Sequence, residues 1–201
     1  MPSLYLIRHG RTEWNALWRI QGEIDVPLDD EGRRQAQALA LAFKDVSLAA
    51  VYASPLQRAA ETAAAVAGVH GLDLSFDDRL KERNWGAFQG MRREEAARVY
   101  PEAEAALRRD PLHARPPQGE SFTELRERAE AALRAIAGKE QGAVAVVCHG
   151  GTIVAGLMAL LGLDRWPRVR FVIENASISL LDVTPDGSVV THYVNRRDHL
   201  A

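Results

Sequence analysis

The chain has 201 residues, a formal charge of −2, 47% hydrophobic residues and 26% charged ones. That length suits one ample α/β domain, and the near-balanced charge gives no pull toward nucleic acid or an acidic membrane surface. Its single cysteine, Cys148, rules out an intramolecular disulfide and points to a reducing cytoplasm.

An apolar run at 4–7 predicts a buried strand over 3–8, far too short for a signal-peptide core. It stops at Arg8, His9 and Gly10, and a loop carrying Asn15, Trp18, Gln21 and Gly22 follows. A helix begins near Asp29 or Asp30, with Ala36, Leu39, Ala40 and Phe43 at i, i+3, i+4 and i+7. A second strand covers 49–54. The run Ser54-Pro55-Leu56-Gln57 then reads as a helix start, with Ser54 as N-cap and Pro55 at N1. A third strand is expected over 72–76. Residues 84–120, rich in charge, glycine and proline, read as a small helical cap inserted over the open end of a sheet. Ser121 and Glu124 form a capping box ahead of a further amphipathic helix. Residues 142–151 repeat the opening pattern: an apolar strand, then His149, then Gly150 and Gly151. An apolar helix over 152–162 follows, and the stretch 153–163 is too short to span a bilayer. A hairpin turning at Pro185–Gly187 ends the chain.

Strands alternating with helices predict a three-layer α/β/α domain over 1–201. Its central sheet is mostly parallel, with an antiparallel edge strand and the cap at about 84–120. Ligands of such sheets bind beyond the carboxyl ends of the strands. His9 and His149 stand at two such ends, and Arg58 lies in the first turn of the helix after a third.

Alone, each of these residues has an ordinary structural use. A histidine at a strand end is usually a hydrogen-bonded structural group, and 22 of the 25 basic residues are arginine, so one arginine signals little. Together they suit phosphoryl transfer. Two guanidinium forks match phosphate oxygens, one neutral imidazole can attack phosphorus, and a second, if protonated, offsets charge. Glu82 lies close in sequence to apolar Trp85 and Phe88, a setting that favours a protonated carboxyl able to donate to a leaving oxygen. Trp85, Phe88, Met91, Tyr100 and Leu112 are expected to shape the pocket. The pairs Arg92–Arg93 and Arg108–Arg109 read as a solvated face. His70, His113, His192 and His199 are scattered, so no metal is expected.

Six segments in order, "LIRHGRTEWN", "RIQGEIDVPLDDEGRRQA", "VYASPLQRAAETA", "LKERNWGAFQG", "PPQGES" and "VVCHGGT", resemble the histidine phosphatase superfamily, the cofactor-dependent phosphoglycerate mutase-like group. The resemblance implies that His9 is the phosphorylated nucleophile. It also implies that Arg8, Arg58 and His149 form the phosphate pocket and that Glu82 is the acid, then the base. Thr12 and Asn15 are implied as further phosphate contacts, and Gln21, Gly22 and Gly150 as substrate-binding positions. Cys148 departs from the family, which more often has serine or threonine there. A cysteine-phosphatase reading wants an arginine six residues later, where Val154 stands, so Cys148 is expected to be a buried strand thiol.

The resemblance covers phosphatases and mutases alike. The short cap and "GES" at 119–121 resemble the phosphatase branch of that family, which implies a phosphatase acting on a small phosphorylated metabolite; no cofactor is expected, and the chain is expected to be a monomer or homodimer. A phosphoglycerate mutase, which would need a bisphosphoglycerate primer, is the alternative; a catalytically silent phospholigand-binding protein is a third.

Overall fold

The structure is a computed structural model describing residues 2–163, 171–184 and 186–201. Its strands are β1 (Ser3–Arg8), β2 (Leu48–Ala53), β3 (Leu74–Phe76), β4 (Ala143–Cys148), β5 (Ile178–Val183) and β6 (Val189–Arg196). Among the described residues they form one six-stranded sheet in the order β3-β2-β4-β1-β5-β6. The pairs β3–β2, β2–β4 and β4–β1 are parallel; β5 runs antiparallel to both β1 and β6. The expected antiparallel edge is thus the β5–β6 hairpin, whose turn includes Pro185, outside the described residues.

Helices α2 (Asp30–Phe43) and α3 (Gln57–Gly68) cover one face of the sheet, and α6 (Phe122–Lys139) and α7 (Gly150–Leu160) cover the other. The alternation of a strand divides the core between the faces. Val144, Val146 and Cys148 of β4 pack with Leu133, Ile136, Ile153 and Leu157, while Ala145 and Val147 pack with Leu39, Phe43, Ala63 and Val66. Each of these large side chains contributes about 1.5–3 kcal/mol by leaving water. No helix among the described residues is long and apolar enough to cross a membrane.

The caps expected for two of the helices, α2 and α6, are present. The Asp29 carboxylate accepts from the Gly32 amide at the head of α2, and the Ser121/Glu124 capping box opens α6. The start of α3 differs. Its N-cap is Leu56, without a side-chain cap, and Ser54 remains outside the helix. The Ser54 hydroxyl lies 2.8 Å from His149 Nε2, so a long-range contact takes the group that local pattern assigned to capping. A short helix, α1 (Glu13–Ala16), also interrupts the loop after β1, capped by Thr12.

The cap contains α4 (Arg93–Val99) and α5 (Pro101–Arg109). Phe88, Ala96 and Leu107 form its own small core, with Met91 and Tyr100 packed against them. Of the five residues expected to shape the pocket, Trp85 alone does so. Phe88 is fully buried inside the cap, and Leu112 packs toward α6 and α7. An insertion this small must spend its aromatics on its own core.

Candidate active site

Register brings the two histidines together. In the parallel β1–β4 pair, Arg8 stands opposite Cys148, so His9 and His149 emerge side by side one residue later. The His9 amide continues the ladder to Cys148 O at 3.0 Å. Their ring centroids are 5.1 Å apart, and both residues are at most 2% exposed.

His9 Nδ1 lies 2.7 Å from the carbonyl oxygen of Gly10. A carbonyl can only accept, so Nδ1 carries the proton and the lone pair sits on Nε2. Burial, then the charges of Arg58 and Arg8, hold His9 well below the usual imidazole range; burial and Arg58 do the same to His149. Both rings are therefore neutral near pH 7. The positive charge of the free site belongs to the arginines, not to His149.

Arg58 is fully buried and reaches from α3 to Gly22 O at 2.7 Å and Ile24 O at 2.9 Å. Burial lowers it to about 10, which leaves it charged at neutral pH. Gly22 meets this demand with φ +54°, and a Cβ there would collide with the Gln89 amide. Arg8 donates to Ile173 O at 2.6 Å. Glu82 accepts from the amides of Arg83 at 2.9 Å and Gly151 at 3.1 Å. A Cβ on Gly151 would collide with Glu82 Oε1, so this glycine is what lets the carboxylate rest on the first turn of α7.

Arg8, His9, Asn15, Gln21, Gly22, Arg58 and Glu82 share a cavity of about 180 Å³, joined by Arg19, Ile20 and Trp85. Of the residues read from sequence, three take other places. His149 is fully buried behind the cavity wall that His9 lines, its Nδ1 without a partner among the described residues. Thr12 is fully buried; its hydroxyl engages Asn15 as the cap of α1, so it meets the cavity only through that neighbour. Gly150 lines a second chamber of about 450 Å³ that shares Arg8, Glu82 and Trp85 with the first. Cys148 is buried and its thiol is pushed up to about 12, which makes it a poor nucleophile.

Sequence reasoning missed the walls of that second chamber. Arg83, 7% exposed, stacks 4.3 Å from the Trp85 ring centroid, and Arg93 lies 5.6 Å from the same ring. Arg93 also pairs with buried Glu104 at 3.1 Å while its own side chain stays 49% exposed, so it keeps the solvated face expected of it and adds one buried partner. Adjacency of Arg83 to Glu82 was the one signal available for it. Ser54, which holds His149, was visible but assigned elsewhere.

Residues 4–196 match the model of the histidine phosphatase superfamily, branch 1. The chain is 35% identical over 183 residues to a probable phosphoglycerate mutase, GpmB, of Escherichia coli, covering 90% of this chain and 85% of that one. Its fold is similar to that of Bacillus stearothermophilus YhfR, with a TM-score of 0.89, 31% identity and 100% of both chains covered. It is also similar to a mycobacterial glucosyl-3-phosphoglycerate phosphatase, with a TM-score of 0.86, 30% identity, and 97% and 99% of the two chains covered. The chain belongs to the histidine phosphatase superfamily, whose members are phosphatases or mutases.

Proposed function

We propose that the protein is a phosphomonoester hydrolase acting on small phosphorylated metabolites through a covalent phosphohistidine at His9. The observation that carries this reading is the Nδ1–Gly10 hydrogen bond, which leaves a neutral Nε2 lone pair in a cavity edged by two arginines. Nε2 attacks phosphorus as the ester P–O bond breaks, and the departing oxygen takes a proton from the Glu82 carboxyl. The resulting carboxylate then accepts a proton from water as that water attacks phosphorus. The P–N bond breaks, the electron pair returns to Nε2, and phosphate leaves. Arg8 and Arg58 offset the charge on the non-bridging oxygens throughout.

No metal enters this chemistry, so activity should persist in EDTA. Hydrolysis is favoured over mutase action by the state of the cap arginines. One member of each pair, Arg93 and Arg108, is committed to Glu104, at 3.1 and 3.2 Å, and neither pair is left whole to clamp a substrate carboxylate. The test is incubation with 3-phosphoglycerate and a bisphosphoglycerate primer alongside a panel of phosphorylated metabolites. Phosphate release with acid-labile label on His9 is the expected result; isomerisation outrunning release would overturn the assignment in favour of a mutase.

A further inference from the structure

His9 and Asn15 present a lone pair and an amide to the cavity, and neither orientation is free. Residues 173–177, just before β5, run along the end of β1 like a bracket. The Arg8 amide donates to Ser177 O at 3.1 Å, and the Ala176 amide is shared between Arg8 O and His9 O at 3.1 and 3.2 Å. Ala176 is fully buried with φ +56°, a left-handed conformation that a residue with a Cβ rarely adopts. Such strain persists only where the surroundings over-determine it. Next to it, the Asn175 Nδ2 group faces three acceptors: His9 O at 3.1 Å, Asn15 Oδ1 at 3.2 Å and Gly10 O at 3.4 Å.

We propose that Asn175 is a positioning residue of the phosphoryl site: its side-chain amide, as donor, turns the Asn15 amide nitrogen toward the phosphoryl group and braces the carbonyls that orient His9. This rests on the cavity being a phosphoryl site. Asn15 Oδ1 accepts from the Thr12 amide at 3.1 Å and the Thr12 hydroxyl at 3.0 Å as well as from Asn175. With three donors converging on that oxygen, the flipped amide would set NH₂ against NH groups. Nδ2 must face away from them, toward the cavity that Asn15 lines, where only a donor can meet a phosphate oxygen. Gly10 O, braced by the same Asn175 nitrogen, is the acceptor that fixes the His9 tautomer.

A packing role and a donor role predict opposite rankings. Asn175→Asp keeps shape but puts a carboxylate against three oxygens, so Asn15 flips and shows its oxygen to the phosphate. Asn175→Leu merely removes the donor. Titration calorimetry of the full chain with inorganic phosphate reads both without turnover. The leucine variant should bind about tenfold more weakly than wild type, and the aspartate variant about 100-fold more weakly at pH 8. Relative to wild type at each pH, the aspartate variant should recover as pH falls to 5, because a protonated carboxyl can donate to Asn15 Oδ1 again. With Asn15→Ala present, the leucine substitution should cost less than about twofold. Binding by the leucine variant within twofold of wild type, or equal losses with and without Asn15→Ala, overturns the positioning role. If the leucine variant does not fold, the aspartate variant decides alone, and a loss that stays constant with pH overturns it. A wild-type chain that binds no phosphate and takes no label on His9 sinks the phosphoryl-site reading itself.

Discussion

At or beyond the carboxyl ends of β1 and β2, His9, Arg58 and Arg8 are each tied to a backbone carbonyl: Gly10 O, Gly22 O with Ile24 O, and Ile173 O. In the cap, charged side chains are tied mainly to one another. Arg93 and Arg108 share Glu104, and His113 lies 3.0 Å from Asp110. Backbone acceptors move only if the fold moves, so the reacting end is fixed by sheet register. Side-chain pairs can be exchanged one residue at a time without disturbing the sheet.

The largest test of that contrast sets His9→Ala against Arg93→Ala on one small phosphoester. The first should lose at least about 10⁴-fold in phosphate release with the circular dichroism spectrum intact, and the second less than about tenfold. Comparable losses would break the distinction. Gly151→Ala sharpens it within the reacting end. The added methyl displaces the Glu82 carboxylate, and kcat should fall about 100-fold while labelling of His9 by a substrate with a good leaving group survives.

Acid should loosen the reacting end first. His9 and His149 resist protonation in the folded chain but titrate normally when unfolded, so stability is greatest above pH 6.5 and declines as pH falls below it. Urea unfolding should show a loss of about 2 kcal/mol between pH 6.5 and 5.5 from this pair, and a doubly substituted His9→Gln/His149→Gln chain should lack it. The smallest effect belongs to the cap. Arg93→Ala leaves Glu104, 3% exposed, with Arg108 alone; cap amides should exchange about fivefold faster, equivalent to about 1 kcal/mol, with no change in β4.

The reacting end was legible because its elements speak locally. Apolar runs that end in His9 and His149 give strands, and alternation with helices makes those strands parallel; that they are neighbours comes from the strand order of the fold. Ser54 shows where this stops: its capping pattern is genuine, yet a histidine 95 residues away claims the hydroxyl. Phe88 was misplaced, and the Glu104 partner of Arg93 went unseen, for a related reason. A short charged stretch does not reveal which arginine finds a buried carboxylate, or that an aromatic near the acid must fill the cap's own interior. Asn175 lies in no periodic pattern at all, and its role arises from a bracket that exists only once β5 is in place.

Cys148 ends the central strand β4, is 2% exposed, and is the chain's single sulfhydryl. Buried between two covered faces, it is out of reach of thiol reagents until the sheet itself parts. The wild-type protein therefore carries a built-in chemical clock: the rate at which Ellman's reagent colours a native solution reports global opening, with no engineered probe and no disturbance of the rest of the molecule.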